Sequence, residues 1–314
     1  MSEHITHLAV AEDSARVVSN DPEFSAILLD SIRRFPRALR LGSTTRSGDT
    51  FILPLLTEWR EDWKKEDPRT QKLAYILGWS GHLAADRTFK PVFRITDLAY
   101  YTSGFPGPAE ASIYHDAIMF AQAYHNGQDY PFQPSALMHD LKGHPAADYV
   151  PVSHIESSMG ATFRTQLASI KFFLPTQVRD WEKQWESLNH EKQKFNVDLD
   201  RYTAAYHHPD PSRLRQYIID PNFYNPEDPI IRMARETQEN GKTDVGLADA
   251  LQGTEDQSLY AQSLKLGYDF LKTCSDYFGK KISLEQAKVN FRIGKPHKQR
   301  LEYYIKMARE AEGK

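Results

Sequence analysis

Apolar residues recur at three- and four-residue spacing in block after block of this chain, and sustained alternation of apolar with polar positions is scarce. That pattern predicts a succession of helices and an all-α fold. The first two run from His4 to Val18 and from Pro22 to Arg34, with Asp21 as N-cap and Pro22 in the first turn of the second. Pro36 is expected to end that helix, and a polar turn follows from Gly42 to Thr50. Phe51 to Lys64 reads as a short helix, and Thr70 to Arg87 as the long central one. Further helices are expected at Pro108 to His125 and Ser158 to Phe173, on either side of an irregular aromatic, Pro-bearing stretch from Asn126 to Val152. Pro175 then introduces a long polar helix from Gln177 to Tyr206. The Pro- and Asp-dense segment from Asp210 to Arg232 reads as an extended connection. Beyond it come helices at Asp228 to Asn240, Asp256 to Phe278 and Pro296 to Ala311. Residues 1–174 carry the clustered candidate ligands. Residues 175–314 form a helical region without them, packed on the first or separate from it.

Within the central helix, the stretch YILGWSGHLAADRTFKPVF from Tyr75 to Phe93 places His82 and Asp86 four residues apart. Just over one helical turn separates them, so both side chains project from one face and can grip one cation. Imidazole with carboxylate suits zinc or a similar transition ion. Gly78, Ser80, Gly81, Ala84 and Ala85 around them leave room for another helix to approach closely.

Composition narrows the classes. A net charge of −3 over 314 residues argues against a protein whose main work is non-specific binding of nucleic acid. The lone Cys274 excludes an intramolecular disulfide framework and a Cys-rich zinc knuckle, so a metal here must be held by His, Asp and Glu. No segment approaches eighteen uninterrupted apolar residues and the N-terminus lacks a basic region followed by an apolar run. The expectation is a cytoplasmic protein with no membrane span.

Two further candidate ligands lie upstream of the central helix. His7 sits in THLAVAEDSA on the first helix, and Asp49 in the turn LGSTTRSGD, free to point inward. Together with GWSGHLAADRTFKP, this order of His, loop Asp and helical H-x-x-x-D resembles the zinc-dependent phospholipase C family, an all-helical fold shared with fungal single-strand nucleases. The resemblance covers about the first half of the chain. It implies a multi-helical phospholipase C and single-strand nuclease-like bundle with additional C-terminal helices. It also implies that His7, Asp49, His82 and Asp86 ligate zinc, one or two ions, and that the substrate is a phosphate-ester small molecule or a lipid headgroup. Lys90 stands before Pro91 where many relatives carry a further His, and no His occurs between Asp49 and His82. A reduced site is therefore expected, completed by His115 in EASIYHDAIMFAQAYH. Asp49 would bridge metals or accept a proton from water. Arg87 or Lys90 would steady the anionic transition state, or Lys90 would replace a metal's positive charge.

Two other readings accompany this one. ALMHDLKGH resembles the signature of the HD-domain phosphohydrolases, with His115 upstream, the pair His139 and Asp140, and Asp180 or Asp198 as the later ligand. A metal-free helical binding or scaffold protein that keeps the fold is the third reading. Its protein partner would meet the C-terminal half, where Lys295, Lys298, Arg300, Lys306 and Arg309 interleave with Tyr303 and Tyr304.

Overall fold

The computed structural model describes residues 4–44, 49–96, 110–129, 131, 205, 208–218 and 223–291. Every regular element among them is helical, in accord with the all-α expectation. Besides short 3-10 turns at His125–Gly127 and Thr254–Asp256, these are in chain order α1 (His4–Val18), α2 (Ala26–Arg34), α3 (Pro36–Ser43), α4 (Asp49–Trp59), α5 (Thr70–Thr96) and α6 (Glu110–Ala123). They continue with α7 (Pro211–Tyr217), α8 (Pro229–Asn240), α9 (Leu247–Leu251), α10 (Leu259–Phe278) and α11 (Leu284–Asn290). No described helix is long and apolar enough to cross a membrane. The chain divides into two compact units, one made of Met1–Thr6 with Phe93–Ile218 and the other of His7–Val92 with Ile219–Lys314. The boundary expected at 174–175 lies outside the described residues, as do the helices expected at 158–173 and 296–311 and all but Ala205 of the one expected at 177–206.

The second unit is built on helices buried over most of their circumference. Along α1, Leu8, Val10, Val17 and Val18 are withdrawn from solvent together with Glu12, Asp13 and Ser14. On α10, Tyr260, Leu264, Phe270, Leu271, Cys274 and Tyr277 are equally buried. Helices enclosed on all sides lose the one-sided apolar stripe of a surface helix. Their buried polar groups then need partners. Asp13 accepts hydrogen bonds from the guanidinium groups of Arg235 and Arg16 and from the Tyr260 hydroxyl at 2.6 Å. Burial alone would raise its carboxyl, but the two arginines hold it below the usual range.

Helix ends follow local chemistry. Pro229 opens α8 and Gly241, at φ 71°, closes it in the left-handed conformation that a residue without Cβ adopts freely. The Ser258 side chain accepts from the Ala261 N–H at 3.2 Å to start α10, and Asp228 accepts from the Ser258 N–H at 3.0 Å.

Three expected boundaries are corrected. Asp21 does not cap a helix beginning at Pro22, because α2 starts at Ala26. Its carboxylate instead accepts from the Glu23 N–H at 2.8 Å, a local turn, and from the Tyr268 hydroxyl at 2.9 Å. Pro36 opens α3 rather than merely ending the helix before it, since proline suits a first helical turn, and α3 runs through Gly42 to Ser43. The central helix continues past Arg87 to Thr96 with Pro91 inside it.

In the first unit, Ala111, Ile113, Tyr114, His115, Asp116 and Phe120 of α6 are buried. Asp210 caps α7 by accepting from the Ser212 N–H at 2.7 Å, and the Tyr217 hydroxyl donates to Glu110 at 2.7 Å. Asp116 accepts from the backbone N–H groups of Ile5 at 3.1 Å and Thr6 at 2.8 Å, which are free donors of a first helical turn.

Candidate metal centre

Three of the residues singled out in the sequence converge in the second unit. His82 and Asp86 stand one turn apart on α5, His7 lies on α1, and one ligand atom from each falls within 4.8 Å of the others. Among the described residues no other group of His, Cys, Asp and Glu side chains comes together in this way.

Close helix packing brings them there. A Cβ placed on Gly81 would lie 2.5 Å from the Ala11 Cβ and 2.7 Å from its Cα, so α1 rests against α5 at a distance that only glycine permits. Ala11 is one turn beyond His7 and Gly81 is next to His82, so this contact sets the two imidazoles side by side. Their rings stack with centroids 4.2 Å apart and planes 19° from parallel. A Cβ on Gly78 would collide with the Leu39 carbonyl and come within 2.9 Å of the Ser43 nitrogen. That contact seats the last residue of α3 against α5, and the Ser43 carbonyl lies 2.9 Å from His82 Nδ1.

The carboxylate of Asp86 lies between the two histidines. Its Oδ1 is 3.3 Å from His7 Nε2 and its Oδ2 is 3.3 Å from His82 Nε2. Lys90, one further turn along α5, places its ammonium on the same Oδ2. The group is sheltered but reachable: the side chain of His7 is 2% exposed, His82 13%, Asp86 15% and Lys90 35%. Burial would raise the Asp86 carboxyl, but hydrogen bonds from His7 and His82, with their charges, drive it far below the usual carboxylate range.

The Ser43 contact fixes which nitrogen of His82 faces Asp86. A carbonyl oxygen only accepts, so Nδ1 carries a hydrogen there and Nε2 is the nitrogen turned toward the carboxylate. Metal-ligating histidines characteristically donate their other nitrogen to a carbonyl or carboxylate, as His82 does here. The two 3.3 Å contacts reach different oxygens of Asp86, so the carboxylate bridges the two imidazoles, and one ligand atom from each side chain lies within 4.8 Å of the others.

The other predicted residues fare differently. Asp49 is the first residue of α4 and not a loop residue, while its side chain lies outside the described residues. His115 belongs to the first unit, is fully buried, and is not a member of the converging group. Its Nε2 lies 2.9 Å from the Tyr217 carbonyl, and burial pushes the imidazole down to about 4. The Arg87 guanidinium donates to the Phe291 carbonyl and lies over the Phe270 ring, 5.1 Å from its centroid. His139, Asp140, Asp180 and Asp198 lie outside the described residues. Sequence reasoning missed Ser43, which acts through its backbone carbonyl; the only signal was the Gly-Ser pair at a helix end opposite a glycine-bearing face.

No protein-family model, curated protein or solved structure matches this chain.

Proposed function

We propose that this chain is a metal-dependent hydrolase of a phosphate ester or phosphodiester, with one divalent ion, zinc by its donor set, held between His7, His82 and Asp86. The observation that carries the reading is the convergence of His7, His82 and Asp86, with one ligand atom from each within 4.8 Å of the others and His82 Nδ1 held by the Ser43 carbonyl. The resemblance of GWSGHLAADRTFKP and its upstream His and Asp to zinc-dependent phospholipases C agrees with it.

An ion bound there would supply Lewis acidity, acidifying a bound water and polarising a phosphoryl oxygen so that phosphorus is more readily attacked. The remaining work falls to the chain. His7 and His82 present ring nitrogens from stacked imidazoles whose centroids lie 4.2 Å apart. Asp86 contributes the negative charge that favours a divalent ion over a proton. Asp49, at the start of α4, is the candidate fourth ligand or proton acceptor. Lys90 brings a cation to the exposed side of the group, where an anionic substrate would arrive.

Hydrolysis of bis(4-nitrophenyl) phosphate tests this reading. Turnover should disappear on treatment with a chelator, return on addition of zinc, and be lost in His82→Ala whatever ion is supplied. Turnover indifferent to chelator and to His82→Ala would contradict it.

A further inference from the structure

We infer that Lys90 is a built-in counter-cation of the His7–His82–Asp86 site, displaced from Asp86 when a divalent ion binds and then free, beside that ion, to receive an oxyanion such as a phosphate group. The inference rests on the divalent-ion reading above and gives that site a coupled anion subsite.

The geometry points to competition for one atom. Asp86 Oδ2 faces His82 Nε2 at 3.3 Å and is also the atom that the Lys90 ammonium contacts. An ion entering between His82 and Asp86 takes the lone pair that Lys90 uses. It also places two positive charges next to the ammonium, a repulsion far stronger at this depth than in bulk water. Lys90 is free to leave because its four-carbon stem is flexible and its side chain is already 35% exposed, whereas Asp86 and His82 are held by close packing. The i, i+4 spacing on α5 keeps the released ammonium over the same face. A phosphate oxygen can then touch the ion while a second oxygen meets Lys90. Without the ion, Lys90 is neutralised by Asp86 and the face offers an anion little.

Calorimetric titration of the full-length, chelator-stripped protein with zinc, and separately with inorganic phosphate before and after zinc loading, tests this without relying on turnover. Removing the competitor in Lys90→Met should tighten zinc binding about two- to fivefold, the range expected when a partly exposed ion pair no longer has to be broken. Wild type should bind phosphate at least tenfold more tightly with zinc than without, and Lys90→Met should lose most of that gain while Lys90→Arg keeps it. Unchanged or weaker zinc binding by Lys90→Met, or phosphate affinity independent of zinc in wild type, would overturn the inference while leaving the ion site intact. Failure of wild type to bind zinc at all would overturn the ion site itself, and this inference with it.

Discussion

His82 donates its Nδ1 proton to the carbonyl of Ser43, 2.9 Å away, and by doing so aims its other nitrogen at Asp86. The bond depends on how closely α3 approaches α5. At Gly78 a Cβ would meet the Leu39 carbonyl, and in Gly78→Ala the two helices must separate. Overpacking of this kind costs about 1–3 kcal/mol. The variant should therefore show a lower urea midpoint and, because His82 loses its orienting carbonyl, zinc binding weakened about tenfold or more, the range seen when a ligand's supporting contact is removed. Retained zinc affinity in a destabilised Gly78→Ala would show that Ser43 does not orient the imidazole.

The α1–α5 contact makes a parallel case. Gly81→Ala pushes against Ala11, whose Cβ lies 2.5 Å from where the new methyl would sit, and moves His7 away from His82. The double variant Gly81→Ala with Ala11→Gly removes the clash between the two methyl groups but leaves the new Cβ 2.7 Å from the Cα of residue 11. Stability and zinc binding should fall together in the single variant and recover only in part in the double one, as denaturant melts and calorimetry would record.

Asp13 is the charged centre of the larger unit, fully buried against Arg235, Arg16 and Tyr260. Asp13→Ala leaves the Arg235 guanidinium enclosed without its carboxylate, a change that costs about 3–5 kcal/mol. The expected outcome is a large loss of stability in urea, with the partner deletion Arg235→Met similarly costly.

His115 carries a pH dependence whose sign is fixed by burial. The folded imidazole titrates near 4 against an ordinary 6.5, so the unfolded chain takes up a proton that the folded one refuses. This group's contribution to stability is whole above pH 6.5 and is lost as the pH falls toward 4, an increment of about 3 kcal/mol. Urea melts at pH 7 and pH 4.5 should therefore differ less for His115→Asn than for wild type. An equal difference in both would mean that His115 is not buried neutral.

Cys274 is fully buried on α10, and burial pushes its thiol up to about 12. At pH 8 the native protein should resist a thiol-specific reagent and react at one site per chain once unfolded, because the thiolate is the reactive form. Fast labelling of the native protein would contradict the burial.

Much of the helical order was legible in periodicity. The first helix, His4–Val18, matches its expected bounds because apolar residues at three and four spacing are a local signal. Asp21 was misread because a carboxylate before a proline signals a cap equally well when it serves a turn and a distant hydroxyl, and Tyr268 is far away in sequence. The His82 and Asp86 pairing was legible because i, i+4 spacing on a helix is a short-range property. The arrival of His7 rested on family resemblance, and its physical cause, the Gly81 contact with Ala11, becomes visible only in three dimensions. His115 looked like a ligand by residue type, yet a buried histidine facing a carbonyl serves packing as well as metal.

The most direct measurement is the zinc stoichiometry of the purified, chelator-free protein by elemental analysis, beside that of the His82→Ala, Asp86→Ala double variant. The account predicts close to one ion per wild-type chain and essentially none in the variant. Wild type that carries no divalent ion and takes up none on titration would contradict it.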